Sequence, residues 1–139
     1  MDQRISLVTL GVRDLHRAQR FYESLGWTPV GDEVEGTIFY QAGGMVLGLW
    51  GRDELAADTV IDDAGGWGGI TLAQNVGSPE AVDALLRDAE AAGGTVTRQG
   101  GATFWGGYNG VFLDTEGHAW EIAHNPFWTI TDDGRTLAS

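Results

Sequence analysis

The sequence predicts an α+β fold built from two βαβββ units, and three observations carry that prediction. The order strand, helix, strands occurs twice along 139 residues. Both helices have start and stop signals, and a clear hairpin pattern closes the second unit. The repeat rests on element order more than on residue identity. The units run over about residues 4–51 and 66–125 of a single domain, with an acidic connector, 52–65, between them and a tail, 126–139, behind.

Arg4 to Val12 reads as the first strand. It places Ile5, Leu7, Thr9 and Gly11 on one face and Ser6, Val8, Leu10 and Val12 on the other. Asp14 is a helix N-cap, and apolar residues then recur at helical spacing (Leu15, Ala18, Phe21, Tyr22 and Leu25) until Gly26 stops the helix. Trp27 to Val34 reads as an edge-like strand carrying Pro29. Thr37 to Gln41 and Met45 to Trp50 form a hairpin about Ala42-Gly43-Gly44. The connector is polar and acidic, with a short helical turn over Leu55 to Ile61.

In the second unit Trp67 to Val76 is a strand. Ser78 caps the next helix, with Pro79 at its first position. Val82, Leu85, Leu86 and Ala89 form its buried stripe, and Gly93-Gly94 ends it. Thr95 to Arg98 is a strand, and Gln99 to Gly107 a glycine-rich loop. Val111-Phe112-Leu113 and Ala119 to Ala123 are then the arms of a hairpin turned by Asp114 to His118. Alternation puts Ala119, Glu121 and Ala123 on one face and Trp120, Ile122 and His124 on the other. The bulky face suits packing against a helix. The small-residue face, with one acid set in it, suits the lining of a concavity. The tail, aromatic at its start and polar beyond, is expected to dock on a neighbour before fraying.

Composition narrows the chemistry. There is no cysteine, which excludes disulfides, thiolate ligands and cysteine nucleophiles. Twenty acidic residues against eight basic ones give a net charge of −12, which argues against nucleic acid and suits either a cationic small ligand or simply a solubilising surface. No apolar run approaches the roughly 20 residues of a membrane span, and MDQRISLVTL lacks a basic region followed by an apolar core. A cytoplasmic protein without a membrane partner is expected. No Walker loop, dinucleotide fingerprint, HExxH or nucleophile elbow occurs.

The DTEGHAWE hairpin (Asp114 to Glu121), together with Val12-Arg13-Asp14-Leu15, Phe21-Tyr22 and Leu25-Gly26-Trp27, resembles the vicinal oxygen chelate superfamily over roughly residues 4 to 128. That superfamily holds glyoxalase I, extradiol dioxygenases, and the fosfomycin and bleomycin resistance proteins. The resemblance implies a cupped mixed sheet with helices on its outer face, generally closed by a second chain, hence a homodimer. It also implies four metal-ligand positions, one on the first and one on the last strand of each unit. Carried over, these fall on Leu7, Gly48, Gly69 and Glu121. A leucine and two glycines donate no side-chain lone pairs, and one carboxylate does not make a tight transition-metal site. His16 lies on the polar side of a helix, His118 in a turn and His124 on the face opposite Glu121, so none replaces a ligand. No metal and no other cofactor is expected.

Space and flat aromatic surface stand where the ligands are missing. Trp50 and Trp67 lie two residues from Gly48 and Gly69, and Thr9 and Thr71 bear the same relation to Leu7 and Gly69. Phe112 is expected to pair across the hairpin with Glu121, Tyr40 to face the Gly48 side, and Trp105 and Tyr108 to close the rim. This predicts a binding site for a planar, hydrophobic aromatic molecule, similar in logic to the resistance proteins that sequester drugs. Glu121 then has three open uses: a structural remnant, a contact for a ligand amine or hydroxyl, or the general base of an atypical glyoxalase- or dioxygenase-like enzyme.

Overall fold

The computed structural model describes residues 1–24, 26–113 and 117–139. Leu25 of the first helical stripe and Asp114, Thr115 and Glu116 of the hairpin turn lie outside the described residues. The elements are β1 (Leu7–Val12), α1 (Leu15–Ser24), β2 (Ile38–Ala42), β3 (Met45–Gly51), α2 (Arg52–Thr59), β4 (Ile70–Asn75), α3 (Pro79–Ala91), β5 (Thr95–Ala102), β6 (Tyr108–Leu113), β7 (Ala119–His124), β8 (Thr129–Ile130) and β9 (Thr136–Leu137). Seven strands form one mixed sheet in the order β2-β3-β1-β4-β7-β6-β5. β1 runs parallel to β3, β4 runs parallel to β7, and β1 and β4 meet antiparallel at the centre. The two halves thus pair through their first strands within one chain, and the fold is α+β.

Both long helices start as their sequence directs. The Arg17 amide donates to the Asp14 carboxylate, and the Ala81 amide to the Ser78 hydroxyl with Pro79 behind it. α3 lays Val82, Leu85 and Leu86 on Phe112 and Ile122 of β6 and β7. α1 lays Leu15, Ala18 and Tyr22 on Ile38, Tyr40 and Leu49 of β2 and β3. Val82, Leu85 and Leu86 are buried, each contributing roughly 1.5–3 kcal/mol. Phe21 falls outside the stripe and is exposed, because consecutive helical residues point about 100° apart and Tyr22 takes the sheet-facing place.

Several boundaries differ from the sequence reading. Trp27 to Val34 is not a strand; it touches β2 through one backbone bond, from the Val30 amide to the Phe39 carbonyl, and forms the isolated bridge of Val34 to Thr37. Pro29 lacks an amide to donate, and Gly31, Glu35 and Gly36 all take positive φ, so the chain coils. β1 starts at Leu7 rather than Arg4. β4 starts at Ile70 rather than Trp67, because Gly69 has φ +71°. β5 runs on to Ala102 through two register shifts, taking in the first four residues of the expected glycine-rich loop. The connector carries a full helix, α2, on the opposite face of the sheet from α1 and α3. There Leu55 and the backbone of Arg52 pack against Gly11. The tail packs on its own chain. Thr136 and Ala138 exchange hydrogen bonds with Gly44 and Gln41, and Trp128 packs edge-on against Phe39. No helix among the described residues is long and apolar enough to cross a membrane.

Candidate functional site

The inner face of the sheet encloses a cavity of about 380 Å³. Its floor follows from strand register. Leu7 lies between Val46 and Ala73, and Ala73 lies beside Glu121, so Val46, Leu7, Ala73 and Glu121 form one row across four strands. Thr9 lies between Gly48 and Thr71 in the next row. α2 closes one end with Leu55 and Asp58, and the tail closes the other with Trp128 and Ala138. Six aromatic side chains wall the space: Phe39, Trp50, Phe104, Trp105, Phe127 and Trp128. Phe104 and Phe127 at the rim are 73% and 65% exposed.

Of the residues expected here, Leu7, Thr9, Trp50, Thr71, Trp105 and Glu121 line the cavity. Gly48 lies beneath it, covered by the Phe39 ring, which would stand 3.3 Å from a Cβ at that position. Five residues are elsewhere. Tyr40 faces α1, because the hairpin pairs Phe39, not Tyr40, with Gly48. Phe112 faces α3, because Val111 pairs with Glu121 while Phe112 pairs with Trp120. Tyr108 shares that outer face and donates to Asp83 of α3, a bond that raises its phenol pKa. Trp67 precedes β4 and is held outside the lining by Arg52 at the start of α2, its ring under the guanidinium and its carbonyl accepting from the same group. Gly69 is masked by Arg52, whose Nη1 would be 2.7 Å from an added Cβ.

Phe39 was legible from the turn: pairing Ala42 with Met45 leads back to Phe39 opposite Gly48. Asn75, Asn109 and Asp58 carried no such local signal. Asn109 is two residues along β6 from Glu121's partner, and its Nδ2 donates to Glu121 Oε1. Asp58 accepts twice from Arg98 of β5, at 3.1 and 3.3 Å.

Glu121 can be reached from the cavity yet is enclosed by protein. Burial pushes its carboxyl up to about 6, the charge of Asp58 adds to this, and the Asn109 amide and Arg98 pull the other way. Burial also raises Asp58, against the pull of Arg98. Thr71, 2% exposed, has its hydroxyl buried without a hydrogen-bond partner among the described residues.

These residues do not fit a divalent metal. The row holding Glu121 is otherwise Ala73, Leu7 and Val46, an apolar cluster sealed by Phe39, Trp128 and Ala138. Gly69 sits beside a guanidinium, the wrong charge for a cation's neighbour. Among the described residues no three His, Asp or Glu side chains converge. His16 is exposed on α1 beside Gln19, His118 is exposed ahead of β7, and His124 turns its Nδ1 to the Val76 carbonyl, away from the cavity.

The paired halves, the inward cup and the acid on the last strand agree with a family-model match over residues 4–122 to the Glyoxalase/Bleomycin resistance protein/Dioxygenase superfamily. The chain belongs to that superfamily. Among solved structures it is similar to a glyoxalase-related enzyme from Fulvimarina pelagi, 39% identical over 98% of each chain, with a TM-score of 0.51. It is also similar to the Mn(II)-bound glyoxalase from Novosphingobium aromaticivorans, at 26% identity over 97% of this chain and 40% of that one, TM-score 0.58. A superfamily member from Vibrio splendidus, 12% identical over 87% of this chain and 97% of that one, TM-score 0.55, shares the fold. None of the curated proteins matches the chain. The superfamily match stops at residue 122, so Phe127, Trp128 and Ala138, which cap the cavity, lie beyond it.

Proposed function

We propose that this superfamily member is a metal-free binding protein that sequesters a planar aromatic molecule of the antibiotic or natural-product type, acting in the cytoplasm as a homodimer. One observation carries the reading. Six aromatic side chains wall a cavity in which the row of Glu121 across the sheet is otherwise an apolar Leu7–Val46–Ala73 cluster. Flat apolar walls with a few polar groups at the floor favour a planar guest, each ring stacking adding on the order of 1 kcal/mol beyond area burial. Titration with a panel of planar antibiotics is expected to quench the fluorescence of Trp50, Trp105 and Trp128, and expression is expected to protect host cells. No quenching and no protection across the panel would overturn it. Sedimentation as a monomer at micromolar concentration would remove the homodimer from the proposal.

A second reading has one specific observation in its favour. A carboxyl held near pH 6 on the cavity floor is suited to proton transfer. If the protein turns over a small carbonyl or hydroxylated substrate and Glu121→Gln abolishes that turnover, the enzyme reading replaces sequestration.

A further inference from the structure

The cavity's charges are one-sided, and this bears on the guest. Among the described residues three carboxylates line it (Glu35, Asp58 and Glu121), and no lysine or arginine does. Asp58 is already answered by the two-pronged bond from Arg98 on β5. Glu121 is not. Among the described residues its hydrogen-bond donor is the neutral Asn109 amide on one oxygen, which leaves the second oxygen for a guest. Diagonally across on β4, the buried Thr71 hydroxyl lines the same cavity with no partner. A buried hydroxyl and a carboxylate oxygen, both unanswered and on neighbouring strands, ask for the same thing: a small group rich in N–H donors.

We infer that the ligand carries a protonated amine on its planar body, seated between Glu121 and Thr71 while the rings lie between the cavity's aromatic walls. The inference rests on the sequestration reading and narrows it to cationic aromatics. An ammonium or amidinium offers the two or three N–H donors that Glu121 and Thr71 require, and its charge adds at close range to the pull of Arg98, whose direct bonds go to Asp58. Trp and Phe faces around the site attract the same charge through their ring quadrupoles. An anionic guest would face three carboxylates, with no compensating base among the described residues that line the cavity.

The test uses three planar probes and the fluorescence of the intact protein at pH 7.5: proflavine (a cation), acridine (its neutral parent) and anthracene carboxylate (an anion). Proflavine is expected to bind at least about tenfold tighter than acridine, and anthracene carboxylate weakest. Glu121→Gln should erase the preference for proflavine and leave acridine's affinity within about twofold. Glu90→Gln, which removes the same charge from the exposed side of α3, should leave all three affinities unchanged and so separates the site from the net charge of −12. Equal affinities for proflavine and acridine, or a preference that survives Glu121→Gln, would overturn the inference and leave sequestration standing. Failure of all three probes to bind would overturn both.

Discussion

Replacing Glu121 by glutamine should stabilise the protein near neutral pH, and the gain should vanish in acid. The carboxyl's pKa rises from 4.5 unfolded to about 6 folded, so between those values the folded protein holds more protons than the unfolded chain. Stability therefore falls as pH rises through that window, and the cost is complete above it. The rise corresponds to about 2 kcal/mol, an upper figure because the carboxyl can still reach water in the cavity. The charged groups facing it are Asp58 from α2, which raises the value, and Arg98 from β5, which lowers it; β6 and β4 present Asn109, Thr71, Ala73 and Asn75, none of which titrates. Glutamine keeps an oxygen to accept from Asn109 and carries no charge to desolvate. Urea unfolding of both proteins from pH 4 to pH 8 measures the difference. The variant should match wild type at pH 4 and gain about 1–2 kcal/mol by pH 7. A difference that does not change with pH, or that grows toward acid, would refute the reasoning.

Two further outcomes follow from the walls of the cavity. Arg98→Leu strands Asp58, whose side chain is 23% exposed, and should cost about 1–3 kcal/mol in denaturant unfolding; the double variant Arg98→Leu/Asp58→Leu should recover much of it, and a single-variant loss under about 0.5 kcal/mol would show the pair to be idle. Phe39→Ala removes the ring that covers Gly48 and meets Trp128 at 4.9 Å between centroids. It should cost about 2–3 kcal/mol and shift the tryptophan emission to the red as the tail loosens, whereas an unchanged spectrum would mean the tail is held by its hydrogen bonds to Gln41 and Gly44 alone.

Local chemistry made the two long helices, the central strands and the position of Glu121 legible in the sequence. Asp14, Ser78-Pro79 and Gly93-Gly94 act on the few residues beside them, and strand alternation needs no knowledge of the partner. The apolar or side-chain-free nature of Leu7 and Gly48 could likewise be read without coordinates. Tertiary structure alone decided which residues meet Glu121. Whether Val111 or Phe112 stands opposite it depends on the hairpin's register, and a slip of one residue exchanges the faces of a whole strand. The acidic connector became a helix across the cup because Leu55 found Gly11's bare backbone there, while Arg52 took hold of Asp63 and of the chain before β4. The tail became a cap because Trp128 found Phe39. These are contacts between residues far apart in the chain, whose free energy appears only once the sheet has brought them together, so no local pattern could encode them.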